Sequence, residues 1–272
     1  MNIDLNLGEL AKPVDTLIRE VLKGVSALSE GTLRRWNEKR DLIHAINMCK
    51  IIEKAHAKAS QAKSVSLGVE GGFLLNFLDK CKTVSDADMQ DLWASILAKE
   101  SDIPGSFSQL TINSLENFRK QDAEWFISFC SFVCEINSET IPLIGNVSHE
   151  VYTKNGISIE VLEHLCALNV IEIDNSFIGS RGRTKPLTPY LNLGESISIF
   201  YFDKKLDYVN EGKNKTSMNL GNITFTSIGK ELLSICDYKQ VDGFIEYLKR
   251  EWRWSTMFGD RWRVEGNKII RT

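Results

Sequence analysis

The chain has six cysteines with no CxxC pair, and four histidines scattered without metal-ligand spacing. Over 272 residues that is too little cysteine for a disulfide-stapled scaffold, and no metal or cofactor motif is indicated. No apolar run approaches the roughly 20 residues needed to span a bilayer. Gly179-x-x-Gly182 and Gly68-x-x-Gly71-Gly72 lack the Lys-Ser/Thr of a phosphate loop and read as turns. Met1-Asn2-Ile3-Asp4 opens without the pattern of a secretory leader, so the expectation is a cytoplasmic protein with reduced thiols. The formal net charge of −3 argues against a surface that binds polyanions everywhere, so any such site must be local. No repeat or low-complexity tract occurs.

What is present is enough apolar residue, 43% of the chain, to bury a good core, and length allows one large domain or two ordinary ones. From Gly8 to Leu28, Leu10, Val14, Leu17, Val21, Val25 and Leu28 recur at intervals of three and four, with Pro13 tolerable in a first turn. This stripe can pack within the chain, on a second copy, or on a membrane surface with Lys12, Arg19 and Lys23 toward headgroups. Its candidate contact residues are Val14, Leu17, Val21, Val25 and Leu28. Arg34 to Ala62 has no internal Gly or Pro and carries Trp36, Ile43, Ile46, Ile51 and Ile52, which predicts one long helix, either an arm before a glycine hinge or a bundle member. Phe73 to Cys81 reads as a short helix.

Ser85, with Asp88 three residues on, reads as the cap of a helix carrying Met89, Leu92, Trp93, Ile96 and Leu97 and ending near Ser101. Pro104-Gly105 makes a turn, and Ser106 or Ser108 caps the next helix, with Leu110, Ile112, Leu115 and Phe118. Asp122 is the expected cap of a third, in which Trp125, Phe126, Phe129, Cys130, Val133, Cys134 and Ile136 recur at helical spacing. Trp93, Phe107, Phe118, Trp125 and Phe126 are the expected core, and Cys130 and Cys134 read as buried residues of one helix face.

Beyond Ile136 the texture changes. Ser158 can cap a helix with Ile159, Val161, Leu162, Leu165 and Leu168, which ends at Asn169 before Val170-Ile171-Glu172-Ile173. Ser196 to Phe202 reads as a buried strand, and Phe225-Thr226-Ser227-Ile228-Gly229-Lys230-Glu231-Leu232 looks like the strand-to-helix junction of winged-helix proteins. Val241 to Trp252 reads as a final helix, and Arg261 to Arg271 as a hairpin. The expected fold is therefore mostly α with a smaller α+β part. Residues 1–64 form a helical arm, 65–136 a helical bundle, 137–240 a winged-helix-like module, and 241–272 a C-terminal helix with a short basic, aromatic hairpin.

Leu92-Trp93-Ala94-Ser95-Ile96-Leu97-Ala98-Lys99-Glu100 followed by Pro104-Gly105-Ser106-Phe107-Ser108 resembles a bacterial family catalogued as domain of unknown function 2806. It resembles more loosely the abortive-infection protein alpha (Abi-alpha) group. The likeness extends to Ile141-Pro142-Leu143-Ile144, Tyr152-Thr153-Lys154-Asn155-Gly156-Ile157 and Val241-Asp242-Gly243-Phe244. The first family implies no assigned chemistry, and the second, by its name, implies a part in antiphage defence. Neither implies a catalytic residue.

Between Lys249 and Arg271 the basic residues interleave with tryptophans, which can hold phosphates while stacking bases. The candidates are Arg250, Trp252, Arg253, Trp254, Arg261, Trp262 and Arg263, joined by Arg181, Arg183 and Lys185 where a wing would lie. Glu251, Asp260 and Glu265 offset the charge, and tryptophans at such an edge also fill packing gaps or anchor a protein. The helix at 159–168 offers Glu160, Glu163 and His164 and no Lys or Arg, which would repel a phosphate backbone. His149-Glu150 is the one His next to a carboxylate in sequence, and adjacency points the two side chains apart. The expectation is a non-enzymatic interaction or scaffold protein, partnered by its own copy or another protein, without catalytic residue, metal or cofactor. The alternative is a nucleic-acid-binding winged-helix regulator, and peripheral membrane contact is the third reading.

Overall fold

The computed structural model describes residues 36–61, 69–173, 191–193, 196–211, 216–218, 220–252 and 262–271. The 8–28 stripe, with Val14, Leu17, Val21, Val25 and Leu28, lies outside them, as do Arg181, Arg183, Lys185, Arg253, Trp254 and Arg261. The chain divides into two compact units, Met1–Ala123 and Glu124–Thr272.

The first unit is helical: α1 (Trp36–Gln61), α2 (Gly71–Cys81), α3 (Ala87–Asp102) and α4 (Gln109–Leu115). Free of Gly and Pro, α1 is unbroken from Trp36 to Gln61, inside the span expected from 34 to 62, and it lies along α3 with Cys49, Ile51, Ile52 and Ala55 buried. Burying an isoleucine contributes about 2 kcal/mol, so this seam is a major stabilising element. Lys54 Nζ reaches Ala87 O at 2.8 Å and Asp91 Oδ2 at 2.9 Å, tying α1 to the start of α3. Trp93 and Phe77 meet edge to face at 5.2 Å inside the unit.

Asp86, and not Ser85, caps α3, its Oδ1 accepting from Asp88 N and Met89 N at 3.0 Å. A carboxylate satisfies both orphan amides and complements the positive end of the helix dipole, which a hydroxyl one residue earlier cannot. Ser108 caps α4 as expected. Asp122 lies inside α5 (Lys120–Cys130), where Oδ2 accepts from Arg119 N at 2.8 Å, so the helix starts two residues before the expected cap.

The helix also ends sooner. It stops at Cys130, and Val133–Ile136 is strand β1, paired antiparallel with β2 (Glu139–Pro142). The apolar spacing from 129 to 136 suits either period, and the turn decides. Asn137 and Ser138 both take positive φ, 53° and 63°, the backbone of a two-residue hairpin turn. Cys130 and Cys134 therefore do not share a helix face, since Cys134 lies on the strand.

In the second unit follow α6 (Glu150–Thr153), α7 (Ile159–Ala167), β3 (Ile171–Ile173), β4 (Leu191–Leu193), β5 (Ser196–Tyr201), β6 (Lys204–Asn210), β7 (Thr216–Met218), β8 (Ile223–Phe225), α8 (Ser227–Leu233), α9 (Phe244–Arg250), β9 (Trp262–Glu265) and β10 (Lys268–Arg271). Six strands form one sheet in the order β2-β1-β5-β6-β10-β9, antiparallel except for the β6–β10 pair. Ile197, Ile199 and Tyr201 are buried, while Phe200 between them is 44% exposed. The 196–202 segment is thus an alternating strand and not one buried on both faces, because the opposite face of the sheet carries Ser198, Lys205 and Asp207. Tyr201 O–H donates to Ser131 O at 2.8 Å and accepts from Val241 N at 2.7 Å, fastening sheet to loops.

The junctions around α7 and α8 follow from close backbone approach. Asn169 takes φ 59° after α7 and turns the chain into β3, which pairs with β8. Thr226 Oγ1 donates to Asn169 O at 2.6 Å and accepts from Gly229 N at 3.1 Å, capping α8. A Cβ at Gly229 would stand 2.0 Å from Val170 O, so only glycine lets α8 pass this strand end. The final helix is shorter than its expected span, because Gly243 at φ 79° holds the chain left-handed just before α9. Among the described residues about half are helical, beside a sizeable mixed sheet, and no helix is long and apolar enough to cross a membrane.

Candidate functional site

The sequence motif around Glu100 is explained by a turn. Glu100, 2% exposed at the end of α3, accepts from Gly105 N at 2.7 Å and Phe107 N at 3.0 Å. Gly105 at φ 84° brings the chain back, Ser106 Oγ donates to Ile103 O, and Phe107 enters the core. The Glu, Gly and Phe thus form one structural device, with both carboxylate oxygens occupied.

The C-terminal candidates divide. Arg250 lies at the exposed end of α9, its Nε 3.9 Å from Glu246, while Lys249 Nζ reaches the other oxygen of Glu246 at 3.1 Å. Trp252 is buried, edge-on to Tyr247 at 6.2 Å. A Cβ at Gly145 would come within 2.8 Å of its indole and 2.7 Å of the Tyr247 hydroxyl, and a Cβ at Gly221 (φ +87°) within 3.0 Å of Ile144 O. The ring of Trp252 therefore fills a slot between two glycines. Arg263, on edge strand β9, is held by Glu211 at 3.2 Å and Glu265 at 3.0 Å. Trp262 is placed by its backbone in β9.

Sequence reasoning missed a cluster around His149. Its Nδ1 accepts from Val151 N at 3.1 Å, so the neutral ring carries its proton on Nε2 and donates to Glu251 Oε2 at 3.0 Å. The ring packs on Tyr247 at 4.6 Å. Tyr247 Oη accepts from Asn146 N at 3.2 Å, and Tyr152 O–H donates to Leu143 O at 2.9 Å while accepting from Gly145 N at 3.1 Å. Burial pushes the Tyr152 phenol far above its ordinary range. The partner of His149 is thus Glu251 and not its neighbour Glu150, and no local signal foretells it. With both imidazole nitrogens engaged, the ring has no free lone pair for proton abstraction and serves to fix the 143–149 loop to the end of α9.

Lys205 Nζ lies 2.9 Å from Asp207, which also accepts from Ser198 Oγ at 2.8 Å, and these contacts hold the Asp207 carboxyl below its usual range. On α7, Glu160 and Glu163 are exposed, and His164 sits edge-on to the half-buried Trp125 at 5.2 Å. Burial pushes the thiols of Cys81, Cys130 and Cys134 well up, into the unreactive protonated form. Among the described residues no group of three His, Cys, Asp or Glu could hold a metal ion.

Among the described residues, two exposed isoleucines sit together on α1. Ile43 is 55% and Ile46 38% exposed, one turn apart on α1, with Lys50 and Glu53 continuing the exposed face. In the first unit Ile51 and Ile52 point inward, so α1 carries apolar residues on two sides.

The family described as protein of unknown function (DUF2806) matches residues 35–249, and the chain belongs to it. No curated protein and no solved structure matches the chain. The matched span takes in the Glu100 turn and the Gly229 junction and ends before Arg250.

Proposed function

We propose that this family member is a non-enzymatic scaffold that self-associates through its N-terminal helical region and binds protein. The observation that carries the reading is the exposed Ile43 and Ile46 pair on a 26-residue helix. The adjoining sequence supports it, since the 10–28 stripe supplies further apolar residues at helical spacing. Arg263 paired with two glutamates and Trp252 buried between glycines support protein contact over nucleic acid, because phosphate binding would have to break those pairs. The α7–β3 and β8–α8 segments are read as a winged-helix-like module, and the exposed Glu160 and Glu163 on α7 favour a protein partner over DNA. A part in antiphage defence rests on the likeness of the 92–108 segment to the abortive-infection group. Comparing phage plaquing on cells with and without the protein tests that part.

Native mass spectrometry of the full chain tests the scaffold itself. The expected result is a multimer for the wild type and loss of multimer for Ile43→Asp/Ile46→Asp. Retention of the same multimer by the variant overturns the assignment of this face. Binding of duplex or single-stranded DNA at about 50 mM salt, weakening steeply as salt rises, would replace the reading with the nucleic-acid one.

A further inference from the structure

The six-stranded sheet ends at β9, and among the described residues no strand lies beyond it. The ladder fixes which backbone groups face outward. Asp207 N accepts its place in the parallel β6–β10 pair by donating to Asn267 O at 2.8 Å, so Ile269 turns its N–H and C=O toward β6 while Lys268 and Ile270 turn theirs toward β9. Val264 stands opposite Ile269 in the β9–β10 register, and its own N–H and C=O therefore point away from the sheet. Its side chain ends a row. Ile197, Tyr208 and Ile269 stand opposite one another across β5, β6 and β10, all buried, and Val264 comes next at 45% exposure. Arg263 and Glu265, both exposed, flank it on the other face of the sheet.

We propose that β9 is a second self-association surface, pairing antiparallel with β9 of another copy, Val264 opposite Val264, so that two six-stranded sheets become one. Charge selects this register. A two-fold pairing centred on Arg263 or on Glu265 sets two like charges opposite each other, whereas one centred on Val264 sets Arg263 of each chain opposite Glu265 of the other, twice over by symmetry. The same centre uses the outward backbone groups. The Val264 N–H of each chain donates to the Val264 C=O of the other, and the two valines extend the buried Ile197-Tyr208-Ile269 row across the joint. Charged residues on an exposed edge discourage pairing with arbitrary strands, and here they match the same edge of a second copy. Two four-residue strands bury far less than the roughly 1,200 Å² of a stable interface. The contact therefore closes between copies already gathered by the α1 face, where their effective concentration is high, and so it rests on that reading.

Amide exchange read by mass spectrometry tests it, on the full chain when dilute and at a concentration where it self-associates. Assembly should slow exchange at Val264 by about tenfold or more. Arg263→Glu and Glu265→Arg, each of which sets like charges opposite each other, should keep the multimer held by α1 and lose that slowing. Mixed in equal amounts, the two variants should regain it, because each then meets the opposite charge on the other. Neither misfolding nor the ion pairs within one chain would produce such a rescue. A multimer whose Val264 amide exchanges as fast as in the dilute chain, single variants that exchange like the wild type, or a mixture without rescue overturns the β9 pairing and leaves the α1 reading standing. A chain that stays monomeric at every concentration overturns both.

Discussion

The side-chain and strand contacts that shape the turns and junctions of the two units differ in their reach. In the first, the residues that start and stop helices act on near neighbours: Glu70 on Gly72 and Phe73, Asp86 on Asp88 and Met89, Glu100 on Gly105 and Phe107. In the second, remote pieces meet, as when Asn146 N donates to Tyr247 across 101 positions, or when β6 takes β10 as its parallel partner. The difference teaches where each unit is vulnerable. A local cap lost removes one or two hydrogen bonds, whereas a backbone passage blocked at Gly229 or Gly145 disrupts a junction that many residues share.

The largest expected effect is therefore in the second unit. Gly229→Ala forces its Cβ onto Val170 O and should cost about 3 kcal/mol or more, read as a lower denaturation midpoint with faster amide exchange in Glu124–Thr272. A loss under 1 kcal/mol would mean that α8 can shift, and the passage would not be rigid. Next comes the first unit's strongest local device. Glu100→Ala leaves two amides without their acceptor and should cost about 3 kcal/mol, with exchange rising at Gly105 and Phe107. If exchange there stays slow, another group holds the turn. Thr226→Ala, which removes a cap and the bond to Asn169, should cost about 1 to 2 kcal/mol by urea unfolding. Arg263→Ala should cost under about 1 kcal/mol, as its ion pairs are half-exposed.

Acid should weaken both units. Carboxyls are held below their ordinary range at Glu70 by backbone amides, at Asp88 by Lys120, at Glu150 by Lys154 and at Asp207 by Lys205. A lowered folded-state pKa gives stability that is complete above the unfolded value, about 4, and lost as pH falls through the folded value. The thermal midpoint should be flat with respect to these groups between about pH 7 and 5 and fall below about pH 4. A midpoint that rises on acidification below 4 would contradict these assignments.

Legibility followed the same division. Helices α1 to α4 could be read because their caps and apolar periods lie within one or two turns of each other, and even there Asp86 displaced Ser85 by offering a charged acceptor. The β1–β2 hairpin was hidden because Val133, Cys134 and Ile136 satisfy a helical period until the Asn137-Ser138 turn is weighed. The six-stranded order, the parallel β6–β10 pair and the His149–Glu251 contact depend on residues far apart in sequence and left no local trace. Trp252 showed the limit of composition, since a tryptophan among arginines can equally be a stacking platform or a plug between glycines.

Light scattering of the full chain across a hundredfold dilution tests the central claim most directly. Self-association predicts a mass at an integer multiple of 30.8 kDa that falls toward 30.8 kDa only on dilution or in Ile43→Asp/Ile46→Asp. A mass of 30.8 kDa at every concentration would contradict it.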